Sequence, residues 1–209
     1  MQITKFVQSC LLVETEDRVG LFDPGMMSQE ALPVDQLDRL DDIIITHQHP
    51  DHFSIDIVKE LAQRFPGVLI TAPSEVVALL GREGITATDL PSPGLEFFDS
   101  PHENGAALFL QPQEIGVHYL DQLSHPGDSH SFTETKAILA LPITAPWGSS
   151  VAALNLALEL KPQYIIPIHD WHWRDEARQQ MYEKFETILA EQAITFLKPS
   201  TGQPLNIDI

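Results

Sequence analysis

The sequence predicts a mixed α and β protein in which two β-sheets face each other with helices outside. Three observations carry that expectation. Strand-like segments crowd the first 22 residues, apolar strands alternate with helical periodicities from residue 43 onward, and after further strand candidates the helices return toward the C-terminus. Periodicity alone leaves the class open between α/β and α+β. The chain of 209 residues is long enough for one well-buried core and short for two, so a single domain over 1–209 is expected.

Residues 3–14 carry strand-like apolar side chains, a polar break follows at 15–18, and 19–22 resumes before Asp23-Pro24-Gly25 turns the chain. A β-hairpin is expected there. Asp23, at a strand end, has two readings of equal weight: it orients a metal-binding histidine, or it hydrogen-bonds its own turn. The acidic stretch 35–42 leads into a strand at 43–46, whose three isoleucines suit a buried position. Ser54 is placed to cap a helix in which Ile55, Val58, Leu61, Ala62 and Phe65 recur at helical spacing, and Pro66-Gly67 stops it.

A strand at 68–71, a short helix at 74–82 closing near Gly84 and a strand at 95–99 continue the alternation. The polar loop 100–105 contains His102. Strand candidates follow at 106–110 and 115–120, the second containing His118, and a tight turn at 124–129 displays Asp128 at its end. An apolar strand at 136–143 precedes Thr144-Ala145-Pro146-Trp147-Gly148. Alanine and leucine at helical spacing predict a helix over 149–160, and the strand after it, 164–168, runs into His169-Asp170. Residues 174–192 form an amphipathic helix with Met181, Phe185, Ile188 and Leu189 as its apolar stripe. The last stretch, 193–209, has room for one or two edge strands.

Composition narrows the function classes. With 43% hydrophobic and 20% charged residues the chain has the balance of a globular protein and not of a disordered one. A formal charge of -18, from 30 acids against 12 Lys and Arg, repels phosphate backbones and anionic lipid surfaces. Neither nucleic acid nor membrane is an expected partner; a small-molecule substrate is. Cys10 is the one cysteine, which excludes an intrachain disulfide and suits a small buried hydrophobe in a reducing compartment. No apolar run approaches membrane-spanning length, so a soluble cytoplasmic protein is expected. Oligomeric state is open.

The chemistry is concentrated in one stretch. His47, His49, Asp51 and His52 fall within six residues directly behind the isoleucine strand. Neutral imidazole nitrogens and carboxylate oxygens are donors for Zn²⁺ and similar ions, and alternation along an extended segment sends His47, His49 and Asp51 to one side. Asp51 and His52 would then suit a second ion. Any single histidine favours a solvated role, but the joint H-x-H-x-D-H pattern behind an apolar strand favours a metal site.

His47-Gln48-His49-Pro50-Asp51-His52, preceded by a hairpin ending in Phe22-Asp23-Pro24-Gly25 and followed by Gly127-Asp128 and Pro167-Ile168-His169, resembles the metallo-β-lactamase-fold metal-dependent hydrolases. Within them it looks like the branch of ascorbate-phosphate lactonase-type and uncharacterised hydrolases. The resemblance implies an α+β, four-layer αβ/βα sandwich with the active site at one edge. It implies that His47, His49 and a third histidine bind one metal, that Asp51, His52 and His169 bind the other, and that Asp128 bridges them. Family order places the third histidine at His102, with His118 a strand residue and His125 a pocket residue beside the aspartate. Two divalent ions are expected, with zinc the first choice and manganese or iron also suited to the donors.

Such a pair of cations shares a water, lowers its pKa toward neutrality and polarises the attacked bond. The expected function is therefore hydrolysis of an ester, lactone, amide or phosphoester in a small metabolite by a hydroxide bridging two metals. Asp128 would keep the pair together, Asp51 would hold the nucleophile or relay a proton, and His125 or His172 would protonate the leaving group. Trp147 and Trp171 are either pocket walls or core packing. Two other functions compete: an iron-dependent oxidoreductase of the mononuclear dioxygenase type, and a non-enzymatic metal-dependent binding module. The diiron oxygen-reducing relatives carry glutamate where this chain has His49.

Overall fold

The computed structural model describes residues 1–105 and 111–208, so the strand expected at 106–110 lies outside the described residues. The chain divides into two compact units, one of residues 1–93, 112–115 and 200–209, the other of residues 94–111 and 116–199.

In the first unit β1 (Gln2–Lys5), β2 (Leu11–Glu14) and β3 (Val19–Phe22) pair antiparallel. The stretch 3–14 thus makes two strands instead of one. It breaks at Gln8, which takes a φ of 62°, and the Phe6 N–H donates to the Cys10 carbonyl at 2.9 Å to close the turn. Next come β4 (Asp42–Ile44) and β5 (Leu69–Thr71), each parallel to its neighbour, while β12 (Pro204–Asn206) pairs antiparallel with β1. The sheet order is β12-β1-β2-β3-β4-β5.

A parallel step needs a crossover, and α1 (Ile55–Arg64) supplies it between β4 and β5. Ser54 caps this helix, its side chain accepting from the Ile57 N–H at 3.4 Å. Ile57, Val58 and Leu61 of α1, with Val76 and Leu80 of α2 (Ser74–Arg82), pack on Leu21, Ile43, Ile45 and Ile70. Each such buried aliphatic chain contributes about 2 kcal/mol of transfer free energy.

The second unit holds β6 (Leu95–Phe98), β7 (Gly116–Tyr119), β8 (Leu123–His125), β9 (Ile138–Pro142), β10 (Tyr164–Ile168) and β11 (Thr195–Phe196), in the order β11-β10-β9-β8-β7-β6. β6, β7 and β8 are antiparallel, and β8 to β11 are parallel. The turn expected from residue 124 begins only after His125, because Val117 and His125 are still paired.

α3 (Ser150–Leu160) and α4 (Asp175–Ala190) cover this sheet through Ala153, Leu156 and Ala157 and through Tyr182, Phe185 and Leu189. The α4 stripe differs from the expected one, since Ile188 is 39% exposed and Tyr182 is buried. Tyr182, Phe185 and Leu189 stand at i, i+3 and i+7 and share a face; Met181 and Ile188 flank it.

Two mixed six-stranded sheets with four α-helices, among the described residues, make the class α+β. Among the described residues no helix is long and apolar enough to cross a membrane.

Candidate metal centre

In the first unit the site grows from the carboxyl ends of two parallel strands. Phe22 of β3 pairs with Ile44 of β4, so the residues that follow, Asp23 and Thr46, meet. Asp23 is fully buried and accepts from the Thr46 N–H at 2.8 Å and the Thr46 hydroxyl at 2.9 Å. Its Oδ2 lies 2.7 Å from Nδ1 of His52. Asp23 thus meets a histidine, one of its two expected roles, and backbone closes the turn, the Gly25 N–H donating to the Asp23 carbonyl at 2.7 Å. A carboxylate on Nδ1 selects the tautomer that leaves Nε2 of His52 as the donor atom for a cation.

Asp23 holds a φ of 44°, in the left-handed region that short polar side chains tolerate best. Gly25 lets this loop lie on the ligand loop. A Cβ there would stand 2.0 Å from the Asp51 carbonyl oxygen. The Met26 N–H donates to the Pro50 carbonyl at 2.8 Å, and the Ser54 N–H to the Pro24 carbonyl at 3.0 Å.

His47 is fully buried, and its Nδ1 lies 3.0 Å from the equally buried carboxylate of Glu114. Its other nitrogen, Nε2, lies 3.1 Å from Nδ1 of His49. Two nitrogens bound tetrahedrally to one Zn²⁺ would be about 3.3 Å apart. The pair therefore fits a shared ion. Asp51 accepts from the Gln8 side-chain amide at 2.9 Å, and its Oδ2 lies 3.7 Å from Nε2 of His52.

In the second unit the sequence-expected residues collect around Asp128. Its Oδ1 lies 2.5 Å from Nε2 of His169, its Oδ2 lies 3.7 Å from Nε2 of His102, and Oδ2 accepts from the Trp147 indole N–H at 2.8 Å. Nδ1 of His102 is 2.6 Å from the Glu103 carbonyl, which again leaves Nε2 as the donor atom. Glu103 ties the two loops together. Its N–H donates to the Asp128 carbonyl at 2.8 Å, and its carboxylate accepts from the His130 N–H at 3.0 Å and the Ser131 hydroxyl at 2.6 Å.

His169 follows β10 at a φ of 61°, a left-handed conformation that costs of order 1 kcal/mol without glycine. The next residue anchors it. Asp170 is buried, accepts from the Tyr182 hydroxyl, and its carbonyl accepts from Arg178 Nε at 3.3 Å. Burial first and the Asp170 charge second push the Tyr182 phenol well above its ordinary pKa, so it stays a donor.

The remaining candidates are placed as follows. His125 ends β8, fully buried, with the Gly127 N–H donating to its Nδ1 at 3.3 Å. His118 lies in β7, stacked on Phe98 at 4.3 Å with Nδ1 2.8 Å from the Ser124 hydroxyl, and burial pulls its pKa down. Nε2 of His172 is 3.4 Å from the Thr144 hydroxyl, and partial burial lowers its pKa too. Trp171 is 52% exposed, so core packing does not describe it.

Residues that could hold a metal are thus His47, His49, Asp51 and His52 in the first unit and His102, Asp128 and His169 in the second. Sequence reading missed Glu114 and Gln8. Neither has a local signature, because each is recognised only by its distant partner.

A family model described as the Metallo-beta-lactamase superfamily matches residues 3–140. Protein Rv0786c of Mycobacterium tuberculosis is 28% identical over 218 residues, covering 94% of this chain and 100% of that protein. The UPF0173 metal-dependent hydrolase YtkL of Bacillus subtilis is 26% identical over 196 residues, covering 81% of this chain and 85% of its own. Among solved structures, Igni18, described as a novel metallo hydrolase from the archaeon Ignicoccus hospitalis, shares the fold with a TM-score of 0.75 at 18% identity, over 100% of this chain and 98% of that one.

Proposed function

The chain belongs to the metallo-beta-lactamase superfamily, and from that premise we propose that it is a metal-dependent hydrolase of a small-molecule ester, lactone, amide or phosphoester. One observation carries the reading most directly. His47, His52 and His102 each have Nδ1 held by an oxygen, from Glu114, Asp23 and the Glu103 carbonyl. That arrangement presents Nε2 of each to a cation, as metal-ligating histidines require. The similarity to a protein named as a metal-dependent hydrolase supports the same class.

We assign His47, His49, Asp51 and His52 of the first unit and His102, Asp128 and His169 of the second to metal binding. Zinc is the preferred ion for a set rich in imidazole, with manganese and iron chemically compatible. Bound divalent ions lower the pKa of water toward neutrality and stabilise charge on the attacked oxygen. With such ions bound, Asp51, held by Gln8, would take up a proton from the attacking water, and His125 would deliver one to the leaving group. The chain's net charge of -18 disfavours nucleic acid as substrate, and its single buried thiol suits the cytoplasm.

The test is metal analysis joined to activity. About two equivalents of metal per chain are expected, together with loss of lactone, ester or phosphodiester cleavage on chelation. His49→Ala and Asp128→Ala should each lower turnover by at least about 100-fold, roughly 2.7 kcal/mol of barrier. Purified protein without stoichiometric metal, whose variants match the parent, would sink the proposal.

A further inference from the structure

We infer that Trp147 is a positioning residue for Asp128: its indole N–H fixes the orientation in which that carboxylate meets metal. The inference rests on the metal-hydrolase reading and adds a role for a residue outside the ligand set. The observation is direct. The Trp147 Nε1–H donates to Asp128 Oδ2 at 2.8 Å, within the range of charge-assisted hydrogen bonds.

Indole nitrogen donates and cannot accept or ligate. Oδ2 is therefore the acceptor, and the bond restrains rotation of the carboxylate about its Cβ–Cγ bond. Oδ1 is left toward His169, 2.5 Å from Nε2. A carboxylate offers about four lone-pair sites, so one hydrogen bond leaves room for cations on the others.

The indole is itself immobilised. It stands in a turn behind β9 closed by two backbone bonds between Ala145 and Gly148, at 3.3 and 3.1 Å. Its ring stands at 73° to that of His130 with centroids 5.1 Å apart, and its centroid lies 5.7 Å from that of His169. His130 is anchored in turn, with Nε2 2.7 Å from the Pro142 carbonyl and its N–H on Glu103. A Cβ at Gly148 would sit 3.0 Å from His130 Cε1, so the turn packs closely on that ring.

If Trp147 merely packed, phenylalanine would serve as well. The test removes the N–H and keeps a ring. Metal-free parent and Trp147→Phe are titrated with Zn²⁺ against a chromophoric chelator, and thermal unfolding of both metal-free proteins is recorded. Zinc affinity should fall about 10- to 100-fold in Trp147→Phe, with the metal-free unfolding midpoint close to the parent's.

A second pair, Trp147→Gln and Trp147→Leu, matches size and differs in the donor; Gln should bind zinc more tightly than Leu. This pair separates the two roles even if Trp147→Phe does not fold. Equal affinity of parent and Trp147→Phe, or of the Gln and Leu variants, overturns the role of the indole and leaves the hydrolase reading standing. A parent that takes up no zinc overturns both.

Discussion

At the scale of single residues, the candidate site is governed by which nitrogen of each histidine carries a proton. Asp23 sets this for His52 and Glu114 for His47, each by a buried carboxylate at 2.7 and 3.0 Å. Asp23→Asn keeps the size of the side chain and removes the charge that selects the tautomer. Zinc affinity in chelator competition should fall about 10- to 100-fold, and an unchanged affinity would remove Asp23 from the site. The H-x-H-x-D-H motif was readable because its donors are neighbours in sequence. Asp23 was half readable, as an acid at a strand end. Glu114 was not readable, since a lone acid before a strand gives no sign that it will meet His47. Cys10 is the buried hydrophobe expected of it, and burial pushes its thiol up to about 12, which keeps it protonated at neutral pH.

At the scale of elements, the candidate ligands stand where strands end. The loop after β4 carries His47 to His52, Asp128 follows β8, and His169 follows β10. Strand ends need a second element to hold what they display, and α4 does this for β10 through Tyr182, Arg178 and Asp170. Tyr182→Phe removes one donor from a buried carboxylate beside the strained His169. It should lower unfolding free energy in urea by about 1–3 kcal/mol, and a change below a few tenths would show that the anchor carries no weight. Helices α1 and α4 were visible as periodic patterns. What the pattern blurred was α4's angular position, where Tyr182 and not Ile188 is buried, because a polar-tipped ring reads as less apolar than isoleucine. It also blurred the break inside 3–14, which depends on a left-handed Gln8 that local composition does not demand.

At the scale of the whole molecule, neither compact unit is a continuous stretch of chain, since the first takes residues 112–115 and 200–209 from beyond the second's first residues. We therefore propose that residues 1–209 fold as one domain. Thermal unfolding followed by far-UV and near-UV circular dichroism should show coincident single transitions; two separated transitions would mean two independent domains. The mixture of strands and helices and the candidate His47–His52 motif were determined by the sequence itself, because alternation, helical spacing and neighbouring donors are properties of short stretches of chain; periodicity left α/β and α+β open, and the sheet pairings decided for α+β. Only tertiary structure decided the pairings of His47 with Glu114, Asp51 with Gln8, Asp128 with Trp147 and Asp170 with Tyr182. The physical reason is that a hydrogen bond depends on where two backbones bring their side chains within about 3 Å, and residue type alone leaves many acids and donors equally eligible.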